Sequence, residues 1–281
     1  MTTESKLSKY YRSPKLYVRI PSQGAFNPDM ETAMGGELAI MAMTGRDETM
    51  IKNPDALLNG EAVTSVIKSC VPGIKEPSEL PITDIDTLLI AIKIATNGDE
   101  HEITAQCPKC KTSCHGTVNL RNILPTAKML ESEYPIKLDT GVTVYIKPYN
   151  YAMQTEAALA AFDETKTLQN LQRDKQINSE SMAIYNKSFR RMADMSVSLL
   201  SRSIVKVTTP DGEEETDPNE IFAFIQNIDS KAAKQIDDLL GKINSLDIEK
   251  KMEMRCEKES CKNEWTTEVE FNASDFFADG S

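Results

Sequence analysis

This sequence has few histidines, no excess of positive charge and no long apolar run. Only two of the 281 residues are histidine, which leaves few options for an acid–base centre built on imidazole. The net charge is -11, whereas non-specific nucleic-acid binding relies on Lys and Arg that displace counterions. No stretch approaches the roughly 18 uninterrupted apolar residues of a membrane-spanning helix, and the N-terminus lacks the apolar segment of a signal peptide. We therefore expect a protein that folds in the cytosol and binds neither nucleic acid nor membrane.

Sequence motifs for nucleotide and acyl chemistry are also missing. Gly35-Gly36 is not followed by the Lys-Ser/Thr of a phosphate-binding loop, and neither GxSxG nor HExxH occurs. Carboxylates are plentiful, but a run such as Glu213 to Glu215 is typical of a solvated loop rather than of paired catalytic acids. We therefore expect that the protein is not an enzyme.

Hydrophobic residues make up 40% of the chain, enough for a packed core. Apolar spacing predicts helices from Glu61 to Val71, from about Ile82 to Gly98 with Thr83 or Asp84 as the cap, and in two long segments, 151–172 and 180–204. Alternating runs predict short hairpins in PIKLDTGVTVYIKP and IVKVTTPDGEEET. A further helix is expected to begin at Asp217-Pro218, and another at a Ser230 cap. The pattern indicates an α+β fold of mixed helices and short antiparallel hairpins.

The order of these elements predicts four parts. Residues 1–60 form an extended N-terminal arm and a small strand region. Residues 61–150 contain helices, a first cysteine knuckle and a hairpin, and residues 151–245 form an inserted helical region. Residues 246–281 contain a second knuckle and a C-terminal strand, which are expected to pack against residues 100–120.

Four of the six cysteines occur as two close pairs, Cys107-x2-Cys110 and Cys256-x4-Cys261. In a reducing compartment such pairs bind metal more often than they form disulfides. Each pair lies between strand-like runs, and two such knuckles supply the four thiolates of a tetrahedral zinc site. Because residues 111–255 separate the pairs, the sequence predicts a discontinuous zinc ribbon with one structural zinc ion.

Two other interpretations of the cysteines stay open. Cys114 and His115 follow the first pair and could complete a local site of the form CPKCKTSCH, which would leave Cys256 and Cys261 unexplained. Alternatively, neither pair binds metal. A catalytic zinc is disfavoured because such sites keep an open position for water, whereas four thiolates close the coordination sphere. Cys70 stands apart and is expected to be a small buried residue.

Several segments together resemble the T-even-type bacteriophage baseplate hub family. These are KLYVRIPSQG, VTSVIKSCVPGI, LPITDIDTLLIAIKIATNGDEHEITAQCPKC, and a cysteine pair before a terminal SDFF. The resemblance covers the first 120 residues most clearly, then the last 30. It implies a structural or assembly component of a contractile tail, made in the host cytoplasm and located in the virion baseplate as part of a multi-subunit assembly. Members are hub subunits or hub-assembly chaperones, and both alternatives stay open.

Partner contacts are expected mainly from the segment Tyr10 to Phe26, which combines aromatic residues, Arg and Pro, with a further contribution from the acidic helical insertion. The partners would be other phage baseplate or tail proteins. A competing hypothesis is a zinc-ribbon adaptor for transcription or nucleic acid, which should carry a basic stripe. The second knuckle instead balances three cations against four carboxylates: Arg255, Lys258 and Lys262 against Glu253, Glu257, Glu259 and Glu264.

Overall fold

The computed structural model describes residues 7–33, 35–173 and 179–269. It contains mixed helices and short antiparallel sheets, which confirms the α+β class. The chain forms two compact units. The first unit comprises Met1–Leu130 and Asp247–Ser281, and the second comprises Glu131–Leu246. The SDFF segment of the predicted C-terminal part lies outside the described residues.

The helices within the described ranges follow the predicted order, with additional short ones. They are α1 (Gly45–Ile51), α2 (Pro54–Leu58), α3 (Glu61–Cys70), α4 (Ile82–Asn97), α5 (Leu120–Ile123), α6 (Tyr151–Arg173), α7 (Ser179–Arg202), α8 (Pro218–Asn227) and α9 (Ser230–Asn244). None of them combines the length and the apolar character that crossing a membrane requires.

The strands of the described residues are short and pair only in antiparallel fashion. They are β1 (Leu16–Val18), β2 (Leu38–Ile40), β3 (Glu100–Gln106), β4 (Ser113–Asn119), β5 (Tyr134–Lys137), β6 (Thr143–Ile146), β7 (Ile204–Thr208), β8 (Glu214–Glu215), β9 (Lys251–Arg255) and β10 (Glu264–Glu268). β1–β2, β3–β4 and β9–β10 form three two-stranded sheets, and the remaining strands form a sheet of order β5-β6-β7-β8.

Helix α4 is the central helix of the first unit. Its apolar residues are buried around most of its circumference, including Ile85, Leu88, Ile90 and Ile92. The prediction that Thr83 or Asp84 caps this helix is wrong, because Pro81 occupies the N-cap position without a side-chain cap bond. The Asp84 carboxylate instead accepts hydrogen bonds from the backbone N–H and the hydroxyl of Ser22, which attach the segment after β1 to α4.

The first sixty residues are more regular than the sequence suggested. β1 pairs with β2, and α1 and α2 follow within 45–58. Helix α1 begins with a capping box in which Thr44 and Asp47 satisfy each other's backbone N–H groups. Both helices are only one or two turns long, too short for apolar periodicity to reveal them.

The second unit is built on the four-stranded sheet. The predicted division grouped the hairpin β5–β6 with the first knuckle, but β6 pairs with β7, so the hairpin belongs to this sheet. Side chains from the sheet, from α8 and from α9 form one buried cluster that includes Val144, Ile225 and Ile236. The N-cap of α9 is Asp229 rather than the predicted Ser230, since the Asp229 carboxylate accepts from two backbone N–H groups.

Candidate metal centre

The first cysteine pair lies on a tight turn between β3 and β4. The backbone N–H of Cys107 donates to the carbonyl of Thr112 at 2.9 Å, and the N–H of Lys111 donates back to the carbonyl of Cys107 at 2.8 Å. Lys111 has a φ of 59°, a left-handed conformation that reverses the chain directly after Cys110. These bonds confirm the predicted strand, knuckle and strand.

The second pair occupies an equivalent turn between β9 and β10. The N–H of Cys256 donates to the carbonyl of Asn263 at 2.8 Å, and the N–H of Cys261 donates to the carbonyl of Lys258 at 2.8 Å. Lys262, directly after Cys261, has a φ of 46°. Both knuckles therefore place a lysine in the left-handed region immediately after their second cysteine.

The two knuckles bring four sulfur atoms together. Cys107 Sγ lies 3.9 Å from Cys261 Sγ, and Cys110 Sγ lies 3.5 Å from Cys256 Sγ. All four sulfur atoms lie within 4.8 Å of one another. A tetrahedral zinc site with Zn–S bonds of about 2.3 Å requires sulfur separations of about 3.8 Å. The four cysteines could therefore hold one metal ion, and we refer to them as the tetrad.

Close packing of the two hairpins keeps the tetrad together. A side chain at Gly116 on β4 would meet Met254 Sδ at 2.5 Å and Met252 Cε at 2.8 Å, so the methionine side chains of β9 pack directly onto β4 at this glycine. Trp265 packs against the same cluster. Glu257 adds a polar link, because its carboxylate accepts from the backbone N–H of His115 at 2.7 Å.

The surroundings give the tetrad thiols different acidities. The Thr112 hydroxyl, 3.2 Å from Cys110 Sγ, and the Thr112 backbone N–H lower the pKa of Cys110 to about 6. Burial raises the pKa of Cys256. A bound divalent cation favours the thiolate form and releases the thiol protons.

The alternative ligands Cys114 and His115 do not join the tetrad. Cys114 is buried in the same apolar cluster as Cys107 and Cys256, but its Sγ lies 3.5 Å from the carbonyl of Thr112 and is not one of the four grouped sulfur atoms. The Nδ1 atom of His115 lies 3.1 Å from the Thr104 hydroxyl on the neighbouring strand. Cys70, as expected, is fully buried, and it lies at the end of α3.

The N-terminal segment Tyr10 to Phe26, predicted to contact partners, is attached to its own unit at several points. The Arg12 guanidinium donates to the carbonyl of Ala42 at 2.7 Å, and to the carbonyl and hydroxyl of Ser69 at 2.6 and 2.8 Å. Asp47 lies 3.5 Å from the same group. The aromatic rings around this anchor point to solvent: Tyr10, Tyr11 and Tyr17 are 73%, 66% and 53% exposed.

The fold and the tetrad define a class: an α+β protein in which two distant cysteine knuckles meet in one closed cluster suited to a metal ion. Comparison with family models gives a more specific result. The model described as T4 bacteriophage base plate protein matches residues 25–278, and the chain belongs to this family. Comparison with curated proteins and with solved structures gave no match.

Family membership confirms the resemblance noted in the sequence. It supports a structural or assembly role in the phage tail and association with other baseplate proteins. Sequence reasoning found the four tetrad cysteines but missed the residues that hold the two hairpins together. Gly116 could have been noticed as a glycine within a strand pattern, whereas the acceptor role of Glu257 has no sequence signature.

Proposed function

We propose that the chain is a non-enzymatic component of a contractile-tail baseplate that works through protein contacts and is stabilised by one structural zinc ion. The family match carries the baseplate role. The mutual approach of four sulfur atoms to within 4.8 Å carries the metal proposal. Cys107, Cys110, Cys256 and Cys261 are the proposed ligands, so the two hairpins β3–β4 and β9–β10 would form a discontinuous zinc ribbon.

The ligand set favours zinc over other common ions. Thiolates are soft ligands, whereas magnesium and calcium prefer oxygen. Four thiolates also leave no coordination position for a reactive water, so the ion would stabilise the fold rather than act in catalysis. Because ligands from two stretches that are far apart in the sequence would meet at the ion, its binding free energy would become part of the folding free energy of the first unit.

Metal content per chain tests the proposed site. Protein purified without added metal should contain roughly one zinc ion per chain, as a four-thiolate site requires. Cys107→Ser and Cys256→Ser should each reduce that content. Cys114→Ser is the matched control, because Cys114 is buried beside the tetrad without joining it, and this change should leave the content unchanged. Full zinc retention in Cys256→Ser would contradict the shared site.

Genetic removal tests the baseplate role. A phage that lacks this gene should fail to assemble functional tails, and the wild-type gene supplied in trans should restore them. Mass spectrometry of purified particles then separates two roles: a subunit is present in the virion tail, whereas a hub-assembly chaperone acts in the host cytoplasm and is absent from the particle. Normal tails without the gene would contradict both roles.

The anchored N-terminal segment is the proposed contact region for neighbouring proteins. Arg12 fixes this segment, and the exposed side chains of Tyr10, Tyr11 and Tyr17 project from it. Tyr is enriched at protein interfaces, and a contact surface that is already ordered loses less entropy on binding. In tails assembled in host cells, the Tyr10→Ser and Tyr11→Ser variants should each be incorporated in smaller amounts than the wild-type protein. Equal incorporation would contradict a role of these rings in the contact.

The charge around the second knuckle argues against a nucleic-acid adaptor. Arg255 lies 3.7 Å from Glu264 in an exposed cross-strand ion pair. Glu253 lies on the same β9–β10 hairpin, directly opposite Thr266. A surface that mixes both charges offers no continuous basic stripe for a phosphate backbone.

A further inference from the structure

Ion pairs connect the two helices of the hairpin α6–α7 in the second unit. Arg191 on α7 lies 3.3 Å from the carboxylate of Glu164 on α6, which is 4% exposed. Arg202 donates to Glu156 at 2.6 Å in an exposed pair between the two helices, and Ser188 on α7 is 7% exposed. Between Met182 and Asp194, only Ser188 of α7 is buried, so the large apolar side chains of this stretch are exposed.

Four large apolar residues lie on the open side of α7. Met182, Tyr185, Phe189 and Met192 are 51%, 43%, 61% and 47% exposed. Their spacing of three, four and three residues places them on one face of the helix, in the pattern of a coiled-coil seam. The rings of Tyr185 and Phe189 are in contact, with centroids 5.1 Å apart. We call these four residues the α7 stripe.

The order of residues in the α7 stripe suits a second copy of the same helix. The spacing is identical when read in either direction. An antiparallel neighbour related by a twofold axis would therefore place Met192 of the second copy against Met182, and Phe189 of the second copy against Tyr185. Such an isologous contact is self-complementary and closes as a dimer.

Charge next to the α7 stripe is also compatible with self-association. The helical positions that flank it, Asn186 and Ala193 on one side and Ser188 on the other, are uncharged. Lys187 and Arg190 project from other faces of α7, and no carboxylate occurs between residues 182 and 193. A second copy can therefore approach this face without bringing carboxylates together, although the chain as a whole carries a net charge of -11.

We propose that the α7 stripe is a self-association surface that pairs with the α7 stripe of a second copy in an antiparallel arrangement. Each half-exposed side chain would bury on the order of 100 Å², so each copy would bury about 400 Å². Stable complexes bury about 800 Å² per partner. The dimer is therefore weak and reversible by itself, and it gains stability where an assembly holds several copies close together.

Sedimentation velocity over a concentration series of the intact chain tests this proposal. The wild-type protein should show a reversible monomer–dimer equilibrium. Phe189→Ser and Tyr185→Ser should each weaken dimerisation by about tenfold or more, since buried aromatic residues dominate helix contacts. Phe162→Ser is the matched control, because Phe162 is 51% exposed on α6 and lies outside the α7 stripe. Circular dichroism should show the same helix content in all variants.

A wild-type chain that stays monomeric throughout the series would overturn the proposal and assign the α7 stripe to a helix of another protein. An equal loss of association in Phe162→Ser and Phe189→Ser would overturn it as well. The inference rests on the proposed structural role but not on the metal site. Metal analysis and phage assembly therefore test the proposed function separately, and a monomeric chain with one zinc ion would leave that function intact.

Discussion

The two units of the molecule differ in how their chain segments are connected. All six cysteines belong to the first unit, which contains two separate stretches of chain, whereas residues 131–246 contain none. The second unit is continuous in sequence and is organised around one apolar cluster that includes Val144, Ile225 and Ile236. The first unit also has an apolar core around α4, so what sets it apart is that the four sulfur atoms of its tetrad come from two distant stretches of the chain.

Metal removal should cause the largest loss of stability of all the changes considered, and this loss should be confined to the first unit. A strong chelator is expected to abolish hydrogen-exchange protection in β3, β4, β9 and β10, because structural zinc contributes about 10 kcal/mol or more in small zinc domains. Amides of the second-unit sheet should keep their protection. Exchange measured by mass spectrometry with and without chelator tests this, and equal loss in both units would refute the division.

A truncation in the apolar core of the second unit should destabilise that unit and leave the metal site unaffected. Ile236 is fully buried in the second-unit cluster, so Ile236→Ala is expected to cost about 2–5 kcal/mol of unfolding free energy. Urea unfolding measures this cost, and zinc content should stay unchanged. Val205→Ala, at a residue that is 37% exposed, is the control and should stay within about 0.5 kcal/mol of wild type.

Asp84 should give the first unit a distinct pH dependence. Burial raises its pKa from 3.8 to about 6 despite the hydrogen bonds from Ser22. Between pH 3.8 and about 6, Asp84 is protonated in the folded chain but ionised in the unfolded chain. Its contribution to stability is therefore greatest at low pH and falls as the pH rises towards and through 6. The free energy of unfolding should fall by at most about 3 kcal/mol over this pH range because of Asp84.

The matched variant for this experiment is Asp84→Asn, which keeps the size of the side chain and removes its titration. Unfolding free energies of both proteins should be measured from about pH 4.5 to 7.5, a range that spans the raised value. Subtracting the two curves cancels the titration of all other groups. A difference that stays constant over this range would contradict the assignment.

Added bulk at Gly116 should have the smallest effect in this series. Gly116→Ala forces Met252 and Met254 away from β4, which is expected to cost about 1–3 kcal/mol and to weaken metal retention. Gly241→Ala in α9 is the matched control, because its new methyl group meets no atom within 4 Å. That helical change should stabilise the second unit by about 0.5–1 kcal/mol. Thermal unfolding and metal content distinguish the two variants.

Local patterns predicted much of this molecule. Apolar spacing predicted the long helices, such as α3, α4, α6 and α7, and alternation predicted the strands around both knuckles. The cap of α4 was mispredicted because Asp84 bonds to Ser22, a residue far away in the sequence. Likewise, Arg12 reaches Ser69 and Ala42. Such bonds depend on which segments become neighbours, and composition or periodicity does not encode that.

The sequence by itself determined the types of the main elements and the identity of the four candidate metal ligands, because helix periodicity, strand alternation and cysteine spacing are local properties. Only the tertiary structure decided which cysteines meet. It placed the Sγ of Cys114 against the Thr112 carbonyl and the His115 ring against the Thr104 hydroxyl, so neither residue joins the tetrad. It also decided that the α7 stripe stays open to solvent, since the exposed face of an amphipathic helix depends on what packs against it.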